Sequence, residues 1–128
     1  MNGRYLLDTN IVIAFLTADP TVQSPEPDSE LYLSSTAIGE LFYGALNSIR
    51  IEDNIQRLLT FLQDATSLSC DQETAKIYGE VKMMLRKKGR PIPDNDIWIA
   101  SSAVQYSLTL VTRDEHFSNI ESLHTVRW

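Results

Sequence analysis

The sequence has a single cysteine, two histidines and no long apolar run, and each shortage excludes a class of protein. Cys70 alone excludes an internal disulfide and a cysteine-based zinc site. His116 and His124 do not have the spacing of zinc ligands. The longest uninterrupted apolar stretch is residues 11–16, well short of the roughly 20 residues that cross a membrane, and residues 1–5 carry no apolar signal region. These shortages predict a cytoplasmic protein.

Net positive charge is missing as well, because 17 acidic residues outnumber 11 basic ones and give the chain a net charge of −6. This balance argues against a general nucleic-acid coat protein, whose surface should be basic. Acids gathered around bound cations would account for much of the excess. The bases cluster between residues 82 and 90, at Lys82, Arg86, Lys87, Lys88 and Arg90. They are interpreted either as a solvated helix end, where cations favour the helix dipole, or as contacts to a phosphate backbone, with Lys87, Lys88 and Arg90 as the candidates.

Short apolar runs alternate with helical patterns along the 128 residues, which predicts one domain over residues 1–128. Strands are expected at residues 4–7, 31–34, 66–70, 108–111 and 124–127. Helices are expected from Asn10, from Ser35 or Thr36, over residues 51–62, from Asp71 to Gly89, and from Asp94 to about residue 106. This alternation is typical of a parallel sheet with helices on both faces. The predicted fold is α/β, a three-layer α/β/α domain with a central parallel sheet of four to five short strands.

Carboxylates stand where four of these segments begin or end. Asp8 directly follows the first predicted strand, and Asp114 comes shortly after the fourth. Glu40 and Asp96 lie in the first turns of two predicted helices. The carboxyl ends of parallel strands share one edge, where α/β folds place their sites. We therefore expect these four side chains to gather at that edge.

The acids at the first strand and the second helix also have ordinary structural explanations. Asp8 could be the N-cap of the following helix, although Asn10 could take that role and leave Asp8 free to bind a metal. Glu40 lies nearly opposite the apolar stripe of its helix and could simply face solvent. Its neighbours Thr36 and Gly44 are small, however, and would let a ligand come close.

For each of the remaining acids, a neighbouring residue could take the role of metal ligand or helix cap. Asp94 is expected to cap its helix, which leaves Asp96 as the ligand. Asp114 could be a turn residue, and its neighbours Glu115 and His116 are alternative ligands. Thr112 could donate a hydrogen bond to a ligand carboxylate or to a metal-bound water.

A set of carboxylates from separate elements suits Mg²⁺ or Mn²⁺, which prefer oxygen ligands, and such ions activate water and stabilise a leaving oxygen in phosphoryl chemistry. No side-chain nucleophile is then required, and the sequence has neither a Gly-x-Ser-x-Gly turn nor a P-loop. A phosphatase with Asp8 as covalent nucleophile is a weaker interpretation, because Asn10 stands where such enzymes typically carry a second aspartate. A binding module that acts only through a protein partner is the other alternative.

Five segments together resemble the PIN-domain ribonucleases and, within them, the VapC toxins of type II toxin–antitoxin systems. They are LLDTN at residues 6–10, GELFYG at 39–44, IPDNDIWIA at 92–100, LVTRDEHF at 110–117 and VRW at 126–128. Each segment alone is weak, but their order and spacing fit over the whole chain. The resemblance implies a PIN-like fold.

The resemblance also implies a Mg²⁺- or Mn²⁺-dependent endoribonuclease that cleaves structured RNA such as tRNA or rRNA. It implies a toxin homodimer, a VapB-like antitoxin that covers the active site, and operator DNA bound only through that antitoxin. Asp8, Glu40 and Asp96 match the three core acids of the family. The fourth acid often stands two residues after the position of Asp114, where this chain has His116; Asp114 is the expected fourth ligand. Asn10 and Thr112 are expected to support the site.

Overall fold

The computed structural model describes residues 3–128, which form five strands and five α-helices. The strands are β1 (Arg4–Leu7), β2 (Glu30–Ser34), β3 (Thr66–Leu68), β4 (Thr109–Val111) and β5 (Thr125–Val126). The helices are α1 (Thr9–Leu16), α2 (Ser35–Leu46), α3 (Ile51–Leu62), α4 (Gln72–Lys88) and α5 (Asp94–Gln105), and a short 3₁₀ helix covers Glu115–Asn119. Every predicted strand is present, and the α/β prediction is confirmed.

All strand pairs of the sheet are parallel, and the strand order is β3-β2-β1-β4-β5. Leu6 of β1 is paired with Tyr32 of β2 on one side and with Leu110 of β4 on the other. The chain builds outward from β1 in one direction, then returns to add β4 and β5 on the opposite side. The order therefore reverses between β1 and β4, and ligand sites of open α/β sheets lie at such a reversal.

The two faces of the sheet are covered by different helices, because successive side chains of a strand point to opposite faces. Leu6 packs in a core with α4 and α5, whereas its neighbour Leu7 packs in a second core with α1 and α3. Helix α2 contributes to both cores, through Ala37 on one side and Leu41 on the other. The result is the predicted three-layer arrangement.

Helices α4 and α5 run antiparallel against each other. Thr74 near the start of α4 hydrogen-bonds Gln105 at the end of α5, and the rings of Tyr78 and Trp98 stack with centroids 4.1 Å apart. Farther along α4, an ion pair of 3.0 Å joins Lys82 to the first residue of α5. The basic second half of α4 therefore lies beside the acidic first turn of α5.

Three of the expected helix caps were wrong. Asn10 lies inside α1, and the N-cap is Asp8, whose Oδ1 accepts a hydrogen bond from the Thr9 backbone N–H at 2.8 Å. Ser34 rather than Ser35 or Thr36 caps α2, because its hydroxyl accepts from the Ala37 N–H. Pro93 occupies the cap position of α5 without a side-chain hydrogen bond. The expected cap of that helix, Asp94, is the residue in the first turn that pairs with Lys82.

Both expected ends of α4 are confirmed. Asp71 forms a capping box with Thr74, in which each side chain accepts a hydrogen bond from the other residue's backbone N–H. Gly89 ends the helix with φ 69°, a left-handed conformation that favours glycine. Among residues 3–128, no helix is long and apolar enough to cross a membrane. One domain over residues 1–128 stays a prediction.

Candidate metal centre

The predicted acids come from four different elements and approach one another at the point where the strand order reverses. Asp8 follows β1 and Asp114 lies just past β4, and these two strands are hydrogen-bonded neighbours. Glu40 reaches the same place from α2 and Asp96 from the first turn of α5. The charges of Asp8, Glu40 and Asp114 all act on Asp96, so the four carboxylates share one electrostatic environment.

Asp8 is held in a fixed orientation by hydrogen bonds to both of its oxygens. The side chain is only 4% exposed. Oδ1 accepts from the Thr9 N–H at 2.8 Å, and Oδ2 accepts from the Thr112 hydroxyl, also at 2.8 Å. The same hydroxyl accepts a hydrogen bond from the Asp114 N–H at 3.0 Å, so Thr112 connects two of the acids. Asp8 is therefore both the helix cap and a carboxylate held in a fixed orientation at the site.

Burial and mutual repulsion make two of the carboxylates hard to ionise. Burial raises the pKa of Asp8 despite the hydrogen bonds from Thr112 and Thr9, and the charges of Glu40 and Asp114 raise it further. Burial likewise raises the pKa of Asp96; repulsion by the other acids adds to this, while His116 opposes it. A bound cation would relieve both effects, because an opposite charge favours the ionised form.

Glu40 points into the site and not to solvent. It is half-buried, its Oε1 accepts from the Thr9 hydroxyl at 2.7 Å, and its Oε2 accepts from the Asn95 amide at 3.4 Å. Sequence reasoning gave no role to Thr9 or Asn95. The available indication was that each polar residue stands next to an acid of the site, Thr9 beside Asp8 and Asn95 beside Asp96.

His116, which the sequence offered as an alternative to Asp114, lies against two acids of the site. Its Nε2 lies 2.9 Å from Asp96 Oδ2, and its Nδ1 lies 3.1 Å from Asp114 Oδ1. Ligand atoms of these three residues all lie within 4.8 Å of one another. Asp8 and Glu40 are outside this tighter group. The indication in the sequence was that His116 stands where related chains often place their fourth acid.

Four other predicted contributors, Asn10, Lys87, Lys88 and Arg90, are exposed. Asn10 is exposed on α1. Lys88, at the end of α4, donates to the Asn119 carbonyl at 3.0 Å and pairs with Glu121 at 3.0 Å. These contacts connect the end of α4 to the last residue of the 3₁₀ helix of His116 and to Glu121 just after it. Lys87 and Arg90 are exposed beside it, so their contact to RNA stays a prediction.

Replacing Thr112 with valine should lower the free energy of unfolding of the metal-free protein by about 1–3 kcal/mol, because Asp8 loses a hydrogen-bond donor. The bond favours ionised Asp8, so its contribution is present at neutral pH and lost as the pH falls and Asp8 takes up a proton. Denaturant unfolding at two pH values measures this. Thr112→Ser keeps the hydroxyl and is the control; equal losses in both variants would contradict the prediction.

The donors at this edge fit a divalent cation. They are carboxylate oxygens, the ligands that Mg²⁺ and Mn²⁺ take in proteins, with one imidazole nitrogen among them. The raised pKa values of Asp8 and Asp96 indicate negative charge that the protein itself does not fully compensate. Cysteine takes no part, because Cys70 is exposed near Ser35 and Thr36.

Known proteins share both the sequence pattern and the architecture. A profile of the PIN domain family matches residues 5–123. Ribonuclease VapC2 from Haemophilus influenzae is 34% identical over 129 residues, which cover 98% of each chain. The tRNA(fMet)-specific endonuclease VapC from Shigella flexneri is 29% identical, again over 98% of each chain. The crystal structure of VapBC2 from Rickettsia felis bound to a DNA fragment from their promoter superposes with a TM-score of 0.88, 29% identity and 98% coverage of each chain.

Proposed function

Because the chain belongs to the PIN domain family, and within it to the VapC ribonucleases, we propose that it is a Mg²⁺- or Mn²⁺-dependent endoribonuclease toxin. The observation that carries the proposal is the gathering of Asp8, Glu40, Asp96 and Asp114 from four elements at the reversal of the strand order. In this proposal the four acids form the catalytic site, with Asp8, Glu40 and Asp96 as metal-binding carboxylates and Asp114 as the fourth acid beside them.

Some residues of the site would bind the cation, and others orient the carboxylates that bind it. Mg²⁺ or Mn²⁺, when bound, supplies a Lewis acid that makes water a nucleophile at neutral pH and stabilises charge on phosphate oxygens. Asp8 and Asp96 offer it oxygen donors. Thr112 and Thr9 fix the orientation of Asp8, and Thr9 also fixes Glu40. Because these partners are already in place, the carboxylates need little rearrangement to bind the cation.

We propose structured RNA, such as tRNA or rRNA, as the substrate, and the tRNA-specific relative from Shigella flexneri supports this class. We propose a VapB-like antitoxin as the partner and operator DNA as a ligand only through that antitoxin. The VapBC2 complex with promoter DNA supports both. We also propose that the protein forms a homodimer. We propose a cytoplasmic location, since the antitoxin, the DNA and the RNA are found together there.

The proposal is tested by incubating the purified, antitoxin-free protein with total tRNA and rRNA in Mg²⁺, in Mn²⁺ and in EDTA. Discrete fragments should form with either cation and not with EDTA. Asp8→Asn should slow cleavage by at least about 10²- to 10³-fold, the usual loss for one preorganised electrostatic group. Asp64→Asn, at an exposed position after α3, is the matched control and should cleave normally.

Retained binding without cleavage by the folded wild-type protein, in every metal condition, would instead favour the binding module. In that case RNA or a protein partner should bind Asp8→Asn and wild type equally. Loss of cleavage in Asp8→Asn with RNA binding retained would separate the nuclease from the module.

Neutralising Lys87 and Arg90 should weaken RNA binding and reduce the slope of log affinity against log salt by about one unit for each lost phosphate contact. Binding is measured in the Asp8→Asn background so that the RNA stays intact. Lys88 is left in place, because it is tied to Asn119 and Glu121. The control neutralises Arg50, the N-cap residue of α3, and Arg57 within α3, a helix that packs in the core on the other face of the sheet. An unchanged slope would assign the run to a solvated helix end.

A further inference from the structure

We propose that His116 Nε2 is itself a ligand of the catalytic cation, and that Asp114 positions the imidazole instead of acting as the fourth ligand. The inference deepens the proposed metal-dependent nuclease and rests on it. It concerns a departure of this chain from the all-carboxylate site that the resemblance implies.

The first observation is the environment of Nε2. The atom is buried, and no residue in the described range 3–128 forms a hydrogen bond with it in acceptable geometry. Nε2 lies only 2.9 Å from Asp96 Oδ2. The two atoms are close, but their orientation is not that of a hydrogen bond. Buried polar atoms are rarely left without a partner, and such an atom in a native structure calls for an explanation such as an ion. A shared cation would supply the missing partner.

The second observation is how the other side of the ring is held. Nδ1 lies 3.1 Å from Asp114 Oδ1, and the same oxygen accepts from the His116 backbone N–H at 3.4 Å. The Asp114 N–H in turn donates to the Thr112 hydroxyl. Metal-binding histidines almost always direct their second ring nitrogen at a carboxylate or carbonyl, which fixes the ring and its tautomer. Here Asp114 is the carboxylate toward which Nδ1 of His116 is directed.

The third observation is the separation of the two donors. Ligands at about 2.1 Å from an octahedral ion and at right angles to each other are about 3.0 Å apart. The 2.9 Å between His116 Nε2 and Asp96 Oδ2 matches such a pair. The ring is also kept in place by Phe117, which is 1% exposed and whose ring centroid lies 4.8 Å from that of the imidazole. The donors therefore need little movement to share an ion.

A nitrogen donor changes which cation the site favours. Carboxylate sites suit both Mg²⁺ and Mn²⁺, whereas imidazole suits first-row transition metals, to which Mn²⁺ belongs and Mg²⁺ does not. His116 should therefore raise the affinity for Mn²⁺ relative to Mg²⁺. The variant His116→Asp, which restores an oxygen donor at this position, should lower that ratio.

The deciding experiment is pulsed electron paramagnetic resonance of the full-length protein with Mn²⁺ bound, which detects the ¹⁴N coupling of a directly ligated imidazole. The wild-type spectrum should contain this coupling. His116→Asp should lose it while still binding Mn²⁺, and His124→Gln, at an exposed histidine, should keep it. Calorimetric titrations with Mn²⁺ and Mg²⁺ give the affinity ratio for each variant.

The role of Asp114 is tested with two substitutions in the same titrations. Asp114→Ala should weaken Mn²⁺ binding by about tenfold, the lower end of the range for losing a partner of a ligand. Asp114→Asn keeps an oxygen that can accept from Nδ1 and should recover most of the affinity and all of the ¹⁴N coupling. Equal weakening in both variants would make Asp114 a ligand and overturn its positioning role.

Different results would contradict the ligand role of His116 and the metal-dependent nuclease itself. Mn²⁺ bound without ¹⁴N coupling in the wild-type protein would overturn the ligand role of His116 and leave the metal-dependent nuclease intact. No binding of Mn²⁺ or Mg²⁺ at all would overturn both.

Discussion

Replacing Asp96 with asparagine is expected to abolish RNA cleavage and, in the metal-free protein, to raise the melting temperature. Cleavage should fall by at least about 10²- to 10³-fold, because an oxygen donor at the cation is lost. Stability should rise because the Asp96 side chain is only 20% exposed and repelled by the charges of Asp8, Glu40 and Asp114. Asparagine keeps the shape of the side chain and removes the charge.

The pH dependence gives this prediction a second readout. Because the folded protein raises the pKa of Asp96, protonated Asp96 stabilises the fold below the unfolded pKa of about 3.9, and that stability is lost as the pH rises through the folded value. The gain from Asp96→Asn should therefore be large at pH 7 and small in acid. Saturating Mn²⁺ should stabilise the wild type more than the variant. A lower melting temperature in EDTA at pH 7 would instead make Asp96 a structural residue.

Replacing Phe117 with alanine is expected to cost about 3–5 kcal/mol of unfolding free energy, the usual penalty for emptying a buried phenylalanine site. Phe117 is 1% exposed and packs in the core beneath α4 and α5, with Leu85, Ile97 and Ile120 among its neighbours in that cluster. It is also the buried residue of the 3₁₀ helix that carries His116. The core and the site therefore share this anchor.

Denaturant unfolding in EDTA measures the cost without any contribution from bound metal. Phe117→Leu fills most of the space and should lose much less stability than the alanine variant. Tyr43→Ala, at an aromatic that is 69% exposed, should change the free energy by no more than about 0.5 kcal/mol. A loss for Phe117→Ala no greater than that for Tyr43→Ala would show that the 3₁₀ helix is not anchored through this ring.

The apolar runs predicted the strands because a buried parallel strand needs little more than a short hydrophobic segment. The helix caps were less predictable. Asp8, Thr9 and Asn10 are all capping residue types in succession, and backbone dihedrals rather than composition select among them. The position of β1 between β2 and β4 could not be predicted from local patterns either, because it depends on where the chain crosses the sheet after Gln105.

The site was predictable to the extent that its residues stand next to strand ends. Asp8 directly follows an apolar run, Asp114 comes shortly after another, and the structure places the two acids near each other. Glu40 could not be assigned from periodicity, because the partners that draw it inward, Thr9 and Asn95, are 31 and 55 residues away in the chain. His116 was underestimated because its contacts to Asp96 and Asp114 exist only in the folded protein.

The hydrogen bond between Thr112 and Asp8 spans 104 residues of sequence. The two ends of that bond emerge from the ribosome at different times, because 104 residues of synthesis separate them. Until β4 has been made and paired with β1, the growing polypeptide has isolated acids but no assembled centre. A nascent chain of this protein should therefore be harmless to the RNA of the ribosome that makes it.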